Sequence, residues 1–123
     1  MFELEKQFSF EAGHSLPFHD GKCASPHGHS YRLTIALRSE GLQTSGPSQG
    51  MVRDFCQVSL VVQPMIEEFF DHKWLNETLH TDSPTAEVIA RWIFEYVHPK
   101  LPELHRVTVF ETATSSASYF FKS

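Results

Sequence analysis

Three histidines in this sequence have the spacing of a metal site. His27 and His29 lie two residues apart in HGH, and His14 lies upstream in FSFEAGHSL. Residues two apart on a strand point to the same face of a sheet. Three neutral imidazoles leave a fourth tetrahedral position open, as in catalytic zinc sites, and zinc is favoured over iron, copper or nickel by its frequency in such sites. The alternative is that these histidines are ordinary polar residues at strand ends.

A cysteine lies close to this pair in the stretch KCASPHGHS. Cys23 precedes His27 by four residues. It could be a fourth ligand that closes a structural site, an inert loop thiol, or a reactive thiolate favoured by a nearby cation and imidazoles. Spacing alone leaves these alternatives open. Cys56, next to Phe55 at an element junction, is interpreted as a small buried hydrophobic residue.

Two further groups could hold or move protons. Asp71 and His72 close a predicted helix in FFDHKWLN, and the alternative for His72 is an interaction with the helix dipole. Glu111 follows Val107 and Val109 on one strand row, where a carboxylate is costly unless it is paired or bound to something. The alternative for Glu111 is an exposed glutamate at a strand end.

Alternating apolar residues predict the strands that would position the histidines. In residues 2–14 the even row is mostly apolar and ends at His14, and alternation resumes at His27. If these strands pair antiparallel, the end of the first lies beside the start of the second. All three histidines then share one face at one end of the sheet. MVRDF, 51–55, is a candidate short return strand, and 106–113 and 117–122 predict two closing strands.

Two helices are predicted between these strands. Apolar spacings of three and four predict a helix over 58–70, which Pro64 should kink or delay. A second helix follows SPTAE, with Ser83 as the N-cap and Pro84 at the first helical position. Clustered strands and clustered helices favour an α+β domain with the helices on one face of an antiparallel sheet. The 123 residues suit one domain, 1–123.

Composition argues against several classes of partner. The net charge of −5 argues against broad electrostatic binding to nucleic acid or to anionic lipid. No apolar run approaches the roughly 18 residues that span a membrane, and MFELEKQFSF does not read as a secretory signal. The two cysteines could form one disulfide, but we expect reduced thiols in a cytoplasmic protein.

Six blocks of the sequence carry a family resemblance. They are FSFEAGHSL, KCASPHGHSYRLTIAL, GMVRDF, FFDHKWLN, SPTAEVIARWI and VFETATSSASY. In this order they resemble the 6-pyruvoyl-tetrahydropterin synthase superfamily, and more closely its bacterial branch, the 6-carboxy-tetrahydropterin synthases of the queuosine pathway. The three-residue gap between Cys23 and His27 matches that branch. It contains no glutamate of the kind found in the hydroxymethyl-forming branch, and it lacks the basic residue often seen in the carboxy branch.

The resemblance implies an architecture and an assembly. The expected subunit is a tunnelling fold, with a four-stranded antiparallel sheet and two helices. Three subunits would close their sheets into a barrel, two trimers would stack as a hexamer, and the active sites would lie between subunits. The implied site residues are the zinc ligands His14, His27 and His29, the catalytic residues Cys23, Asp71 and His72, and the pterin-pocket residues Glu111 and Thr85.

The resemblance also implies an activity. The expected enzyme is a zinc-dependent lyase that converts 7,8-dihydroneopterin triphosphate to 6-carboxy-5,6,7,8-tetrahydropterin, with release of acetaldehyde and triphosphate. One alternative is a pyruvoyl or hydroxymethyl pterin product from the same scaffold. Another is a non-catalytic, zinc-stabilised assembly module in which Cys23 is the fourth ligand.

Overall fold

The structure, a computed structural model, describes residues 1–122. The strands are β1 (Phe2–His14), β2 (His27–Ser39), β3 (Lys73–Trp74), β4 (Leu104–Thr112) and β5 (Ser115–Phe120). The helices are α1 (Phe55–Phe69), α2 (Leu75–Thr78) and α3 (Ala86–Val97), and a 3₁₀ turn spans Lys22–Ala24. No helix in residues 1–122 is long and apolar enough to cross a membrane.

The strands form one mixed sheet in the order β3-β1-β2-β4-β5. The β1–β2, β2–β4 and β4–β5 pairs are antiparallel, whereas β3 runs parallel to β1. The β1–β2 register sets His14 opposite His27 and Ala12 opposite His29. This pairing confirms that the end of the first strand lies beside the start of the second.

One face of the sheet carries the hydrophobic core. Alternate residues of β1 and β2, such as Phe10, Leu33 and Ile35, are buried together with the apolar stripes of α1 and α3. Burial of such side chains removes apolar area from water and is the main force that holds the layers together. The three histidines lie on this same row, so the core packing also determines where their rings point.

The predicted four-stranded antiparallel sheet is wrong in one respect, because the sheet has a fifth strand. β3 is only two residues long and joins the sheet in parallel beside the end of β1. Its two residues show no alternation that could predict a strand. The candidate strand at 51–55 is also wrong, since this segment is a turn that leads directly into α1.

Both long helices begin at positions other than those predicted. α1 begins at Phe55 rather than 58, because the Asp54 side chain caps it by accepting a hydrogen bond from the Cys56 N–H. The helix continues through Pro64, which is exposed. α3 begins after Thr85, whose hydroxyl accepts a hydrogen bond from the Val88 N–H. Thr85, and not Ser83, is therefore the N-cap.

Both cysteines are free. Cys23 is half-buried, whereas Cys56 is exposed in the first turn of α1. The interpretation of Cys56 as a buried hydrophobic residue is therefore wrong. The early start of α1 accounts for the difference, because it moves Cys56 from an element junction onto a helix surface.

Candidate active site

The rings of His14, His27 and His29 converge at one end of the sheet. One potential ligand atom from each lies within 4.8 Å of the other two. The ring centroids of His14 and His27 are 4.6 Å apart, and those of His27 and His29 are 5.0 Å apart. The rings are steeply inclined to one another, so that their nitrogens, and not their faces, can point at a common centre.

Backbone carbonyls select the tautomer of two of these rings. Nδ1 of His14 lies 2.8 Å from the Pro84 carbonyl oxygen, and Nδ1 of His27 lies 2.8 Å from the Ser25 carbonyl oxygen. A carbonyl oxygen only accepts hydrogen bonds, so both Nδ1 atoms carry the proton. The lone pair of each neutral ring is then on Nε2. Hydrogen bonds of this kind orient imidazoles that bind a metal.

Two buried ring nitrogens of this group have no hydrogen-bond partner in the described part of the chain. They are the buried Nε2 atoms of His14 and His29. Burial lowers the pKa of His29, and the neighbouring imidazoles of His14 and His27 lower it further against the opposing effect of Glu111. A neutral His29 presents a lone pair, as a metal ligand must. The three rings therefore fit a divalent metal ion that prefers nitrogen ligands.

Two glycines face each other between the histidine positions. Gly13 and Gly28 are cross-strand partners. A Cβ atom on Gly28 would lie 3.2 Å from the Ala12 carbonyl oxygen, and one on Gly13 would lie 3.2 Å from the Trp74 ring. The absence of these side chains lets β1, β2 and the Trp74 ring approach one another closely beside the site.

A carboxylate and a cavity adjoin the histidines. Oε1 of Glu111 lies 3.5 Å from Nε2 of His29, and the Glu111 side chain is half-buried. Glu111 also lines a cavity of about 270 Å³ together with Thr85, Leu16 and Ser116. The two residues predicted to line a pterin pocket are thus brought together in one cavity beside the candidate metal site.

Tyr31 is a neighbour of the site that sequence reasoning did not select. Its hydroxyl lies 3.3 Å from Nδ1 of His14, and burial, followed by the charge of Glu111, raises the pKa of Tyr31. The hydroxyl therefore stays protonated. The signal in the sequence was its position, because Tyr31 continues the row of His27 and His29 on β2.

Asp71 and His72 form a pair beside the end of β1, at Glu11. Oδ1 of Asp71 accepts a hydrogen bond from the Glu11 N–H at 3.0 Å, and Oδ2 lies 3.1 Å from Nδ1 of His72. The Glu11 hydrogen bond, assisted by His72, lowers the pKa of Asp71. His72 has a positive φ of 59° and an exposed ring. Asp71 therefore orients an imidazole that faces solvent.

The groove beside His72 is separate from the cavity of Glu111. It has a volume of about 710 Å³ and is lined by His72, Trp74 and residues 11–13 and 26–30. The two cavities share no lining residue. Cys23 lines neither of them and is not a member of the group formed by the three histidines. A single chain thus brings Glu111 and Thr85 together in one cavity, and His72 together with His27 and His29 along the other groove, whereas Cys23 lines neither of them.

The fold and the site together define a small α+β protein with a group of three imidazoles that could hold a metal ion. Residues 3–121 match the family described as 6-pyruvoyl tetrahydropterin synthase. The chain belongs to this family, and the resemblance seen in the six sequence blocks is confirmed.

Comparison with individual proteins shows which members of the family this chain is similar to. The chain is 46% identical over 121 residues to the 6-carboxy-5,6,7,8-tetrahydropterin synthase of Synechocystis sp., covering 98% of this chain and 94% of that protein. It is 32% identical over 106 residues to the dihydroneopterin monophosphate aldolase of Pyrococcus furiosus, covering 84% of this chain and 83% of that protein. The structure of Caenorhabditis elegans 6-pyruvoyl tetrahydropterin synthase superposes with a TM-score of 0.83 at 27% identity. The superposition covers 98% of this chain and 96% of that chain.

Proposed function

We propose that the protein is a zinc-dependent lyase that converts 7,8-dihydroneopterin triphosphate to 6-carboxy-5,6,7,8-tetrahydropterin, releasing acetaldehyde and triphosphate. The observation that carries the proposal is the group of three imidazoles, two of which have buried Nε2 atoms without a hydrogen-bond partner within residues 1–122. The 46% identity to a relative of that name supports the choice of reaction. Residues 1–123 would act as one domain.

His14, His27 and His29 would hold the zinc ion. When bound, zinc would supply Lewis-acid polarisation of the hydroxylated substrate side chain. Three protein ligands leave room for that side chain. The carbonyls of Pro84 and Ser25 keep the lone pairs of His14 and His27 on Nε2, so two of the three rings are held in one tautomer.

Glu111 and Thr85 would bind the pterin ring. A glutamate carboxylate can accept two hydrogen bonds from the amino-pyrimidine edge of a pterin. Support comes from the position of Glu111, which contacts His29 and also lines the cavity shared with Thr85. A ring bound there would have its substituent near the three histidines.

Cys23 and the Asp71–His72 pair would move protons. The reaction needs a base and an acid on different sides of the substrate side chain. Cys23 is the candidate base, and His72, oriented by Asp71, is the candidate acid. Cys23 does not line the groove that contains His72, which supports an active site completed by a second subunit. We therefore propose a trimer or hexamer in which neighbouring sheets close into a barrel.

Product analysis tests this proposal directly. The purified protein loaded with zinc is incubated with 7,8-dihydroneopterin triphosphate, and the pterin product is identified by mass spectrometry. We expect a carboxy pterin together with acetaldehyde. A pyruvoyl pterin formed without acetaldehyde would assign the protein to another branch, and an unchanged substrate would reject the enzymatic function.

A second candidate uses the same scaffold. The 32% identity to a relative named dihydroneopterin monophosphate aldolase favours a reaction that forms a hydroxymethyl pterin. The lack of a glutamate between Cys23 and His27 counts against this candidate. A hydroxymethyl pterin in the same mass analysis would establish it.

A further inference from the structure

The segment 71–76 runs along the end of β1 that carries His14. The Asp71 carboxylate and the His72 backbone N–H both bond to the backbone of Glu11, at 3.0 Å and 2.5 Å. β3 then pairs in parallel with the next two residues of β1. The segment is therefore attached to β1 from Glu11 up to the residue before His14.

Asn76 extends this attachment beyond the end of the strand. Its Oδ1 accepts a hydrogen bond from the Ser15 N–H at 2.9 Å, and its Nδ2 donates one to the Ser15 carbonyl oxygen at 2.9 Å. A carboxamide carries a donor and an acceptor in one plane, whereas a carboxylate has only acceptors at neutral pH. The side chain thus pairs with Ser15 as the backbone of another strand residue would.

Ser15 is the residue through which Asn76 can act on the metal site. The Ser15 nitrogen belongs to the peptide plane that begins at the Cα atom of His14, and this plane is rigid. The His14 ring is fully buried and its Nδ1 is held by the Pro84 carbonyl. A bond that fixes Ser15 therefore fixes the backbone from which this ring extends.

The same contact reaches the loop that carries Cys23. Leu16, the residue after Ser15, donates its backbone N–H to the Cys23 carbonyl oxygen at 2.9 Å. Asn76 consequently holds the point at which the chain leaves the sheet and enters that loop. His14 lies on one side of this point and the Cys23 contact lies on the other.

We propose that Asn76 is a positioning residue of the metal site, whose carboxamide holds the His14–Ser15 peptide and so sets the His14 ring among the three imidazoles. This inference rests on the proposed three-histidine zinc site. Loss of a residue that orients a metal ligand lowers metal affinity by about 10- to 100-fold. We expect an effect of this size when the two bonds to Ser15 are removed.

Thr78 provides a matched control on the same short helix. It is half-buried like Asn76, and its hydroxyl donates a hydrogen bond to the Phe69 carbonyl oxygen at 2.7 Å. This bond joins α2 to the end of α1 and does not touch β1. Thr78→Val therefore removes a side chain–backbone bond of the same kind without altering the contact to Ser15.

The experiment compares zinc affinity in wild type, Asn76→Ala and Thr78→Val, by competition with a chromophoric chelator at pH 8. Thermal melts establish that each variant is folded, and the visible spectrum of the Co²⁺-loaded protein reports the ligand geometry. We expect about 10- to 100-fold weaker zinc binding and an altered Co²⁺ spectrum in Asn76→Ala only. Equal losses in both variants, or no loss in Asn76→Ala, would overturn the inference. Failure of the wild type to bind zinc would instead reject the proposed metal site.

Asn76→Asp tests the same point if Asn76→Ala does not fold. The aspartate is nearly the same shape and keeps an acceptor for the Ser15 N–H, but it sets an oxygen against the Ser15 carbonyl. Its negative charge would by itself favour a nearby cation. Weaker zinc binding in this variant would therefore report a change in ligand geometry, and unchanged or tighter binding would contradict the proposed role.

Discussion

Oε1 of Glu111 lies 3.5 Å from Nε2 of His29, the nitrogen that has no hydrogen-bond partner within residues 1–122. β4 and β2 bring this carboxylate and this imidazole together from positions 82 residues apart in the chain. Because Glu111 also lines the cavity that contains Thr85, it connects the candidate metal site to the candidate ring pocket. A substrate bound at both the candidate metal site and the candidate ring pocket would lie directly over this contact.

Replacement of Glu111 by glutamine should weaken substrate binding and leave zinc in place. The amide turns one acceptor oxygen into a donor, so one N–H group of the pterin ring loses its partner. A hydrogen bond to a charged group contributes about 1.5–3 kcal/mol, which corresponds to roughly 10- to 150-fold in affinity. Isothermal titration with substrate or product, with zinc content measured on the same sample, checks this. Unchanged affinity would put Glu111 outside the ring pocket.

Removal of one imidazole should remove the metal. In His27→Ala only two of the three converging rings remain, and we expect zinc content and activity to be lost together. His98→Ala is the control, because His98 stacks on Phe94 at the end of α3. Zinc per chain is measured by elemental analysis. Full zinc occupancy in a variant in which His14, His27 and His29 are all alanine would refute the site.

The parts of the site that depend on local periodicity could be predicted from the sequence. The alternation that ends at His14 and resumes at His27 was enough to put three histidines on one face of two paired strands. β3 and the Asn76 contact could not be predicted this way. They depend on a parallel approach to β1 from some 60 residues away, and a two-residue strand has too few side chains to show a pattern.

The helix starts were mispredicted for a related reason. Ser83 and Thr85 are both good N-cap residues, and the choice between them depends on backbone geometry. In the structure the Pro84 carbonyl accepts a hydrogen bond from His14, and the helix begins only after Thr85. The position of this helix end is therefore tied to the His14 ring, which a pattern of apolar residues does not reveal.

Asp71 should contribute to stability in a pH-dependent way. Its pKa is lowered in the folded protein, chiefly by the Glu11 N–H and then by His72, so the folded state binds fewer protons than the unfolded state near the ordinary pKa. The contribution is therefore present above about pH 4 and is lost as the pH falls below that value. The difference in free energy of unfolding between wild type and Asp71→Asn should shrink in that range.

Chemical denaturation of both proteins between about pH 3 and pH 6 measures this difference. Asp20→Asn, in the exposed loop before Cys23, serves as the control for the general effect of removing one negative charge. A wild-type advantage over Asp71→Asn that stays constant across the range would show that the Asp71 carboxylate does not stabilise the fold through its charge.

Self-association should be detectable in solution. β5 is an outer strand of the sheet, and β3 covers only Ala12 and Gly13 of β1, so most of that strand is also an open edge. Phe2 and Phe120 are exposed on these strands. Such edges favour pairing with another chain. Light scattering at micromolar concentration should give three or six times the 14.1 kDa chain mass, whereas a monomer would contradict the proposed assembly.

Cys23→Ala should separate metal binding from catalysis. Cys23 lies in the turn Lys22–Ala24, outside the group whose ligand atoms lie within 4.8 Å of one another. Three imidazoles already suffice for a catalytic zinc, and a fourth protein ligand would occupy the position that the substrate needs. We therefore expect the variant to keep its zinc and its oligomeric state and to lose turnover by about 10²- to 10⁴-fold, the usual contribution of one acid–base group.

Cys56→Ala is a matched control, because Cys56 is the other free thiol and is exposed on α1. Zinc content and turnover are measured on the same preparation. A joint loss of zinc and activity in Cys23→Ala would make Cys23 a ligand of a closed, structural site, and full activity would make its thiol a bystander.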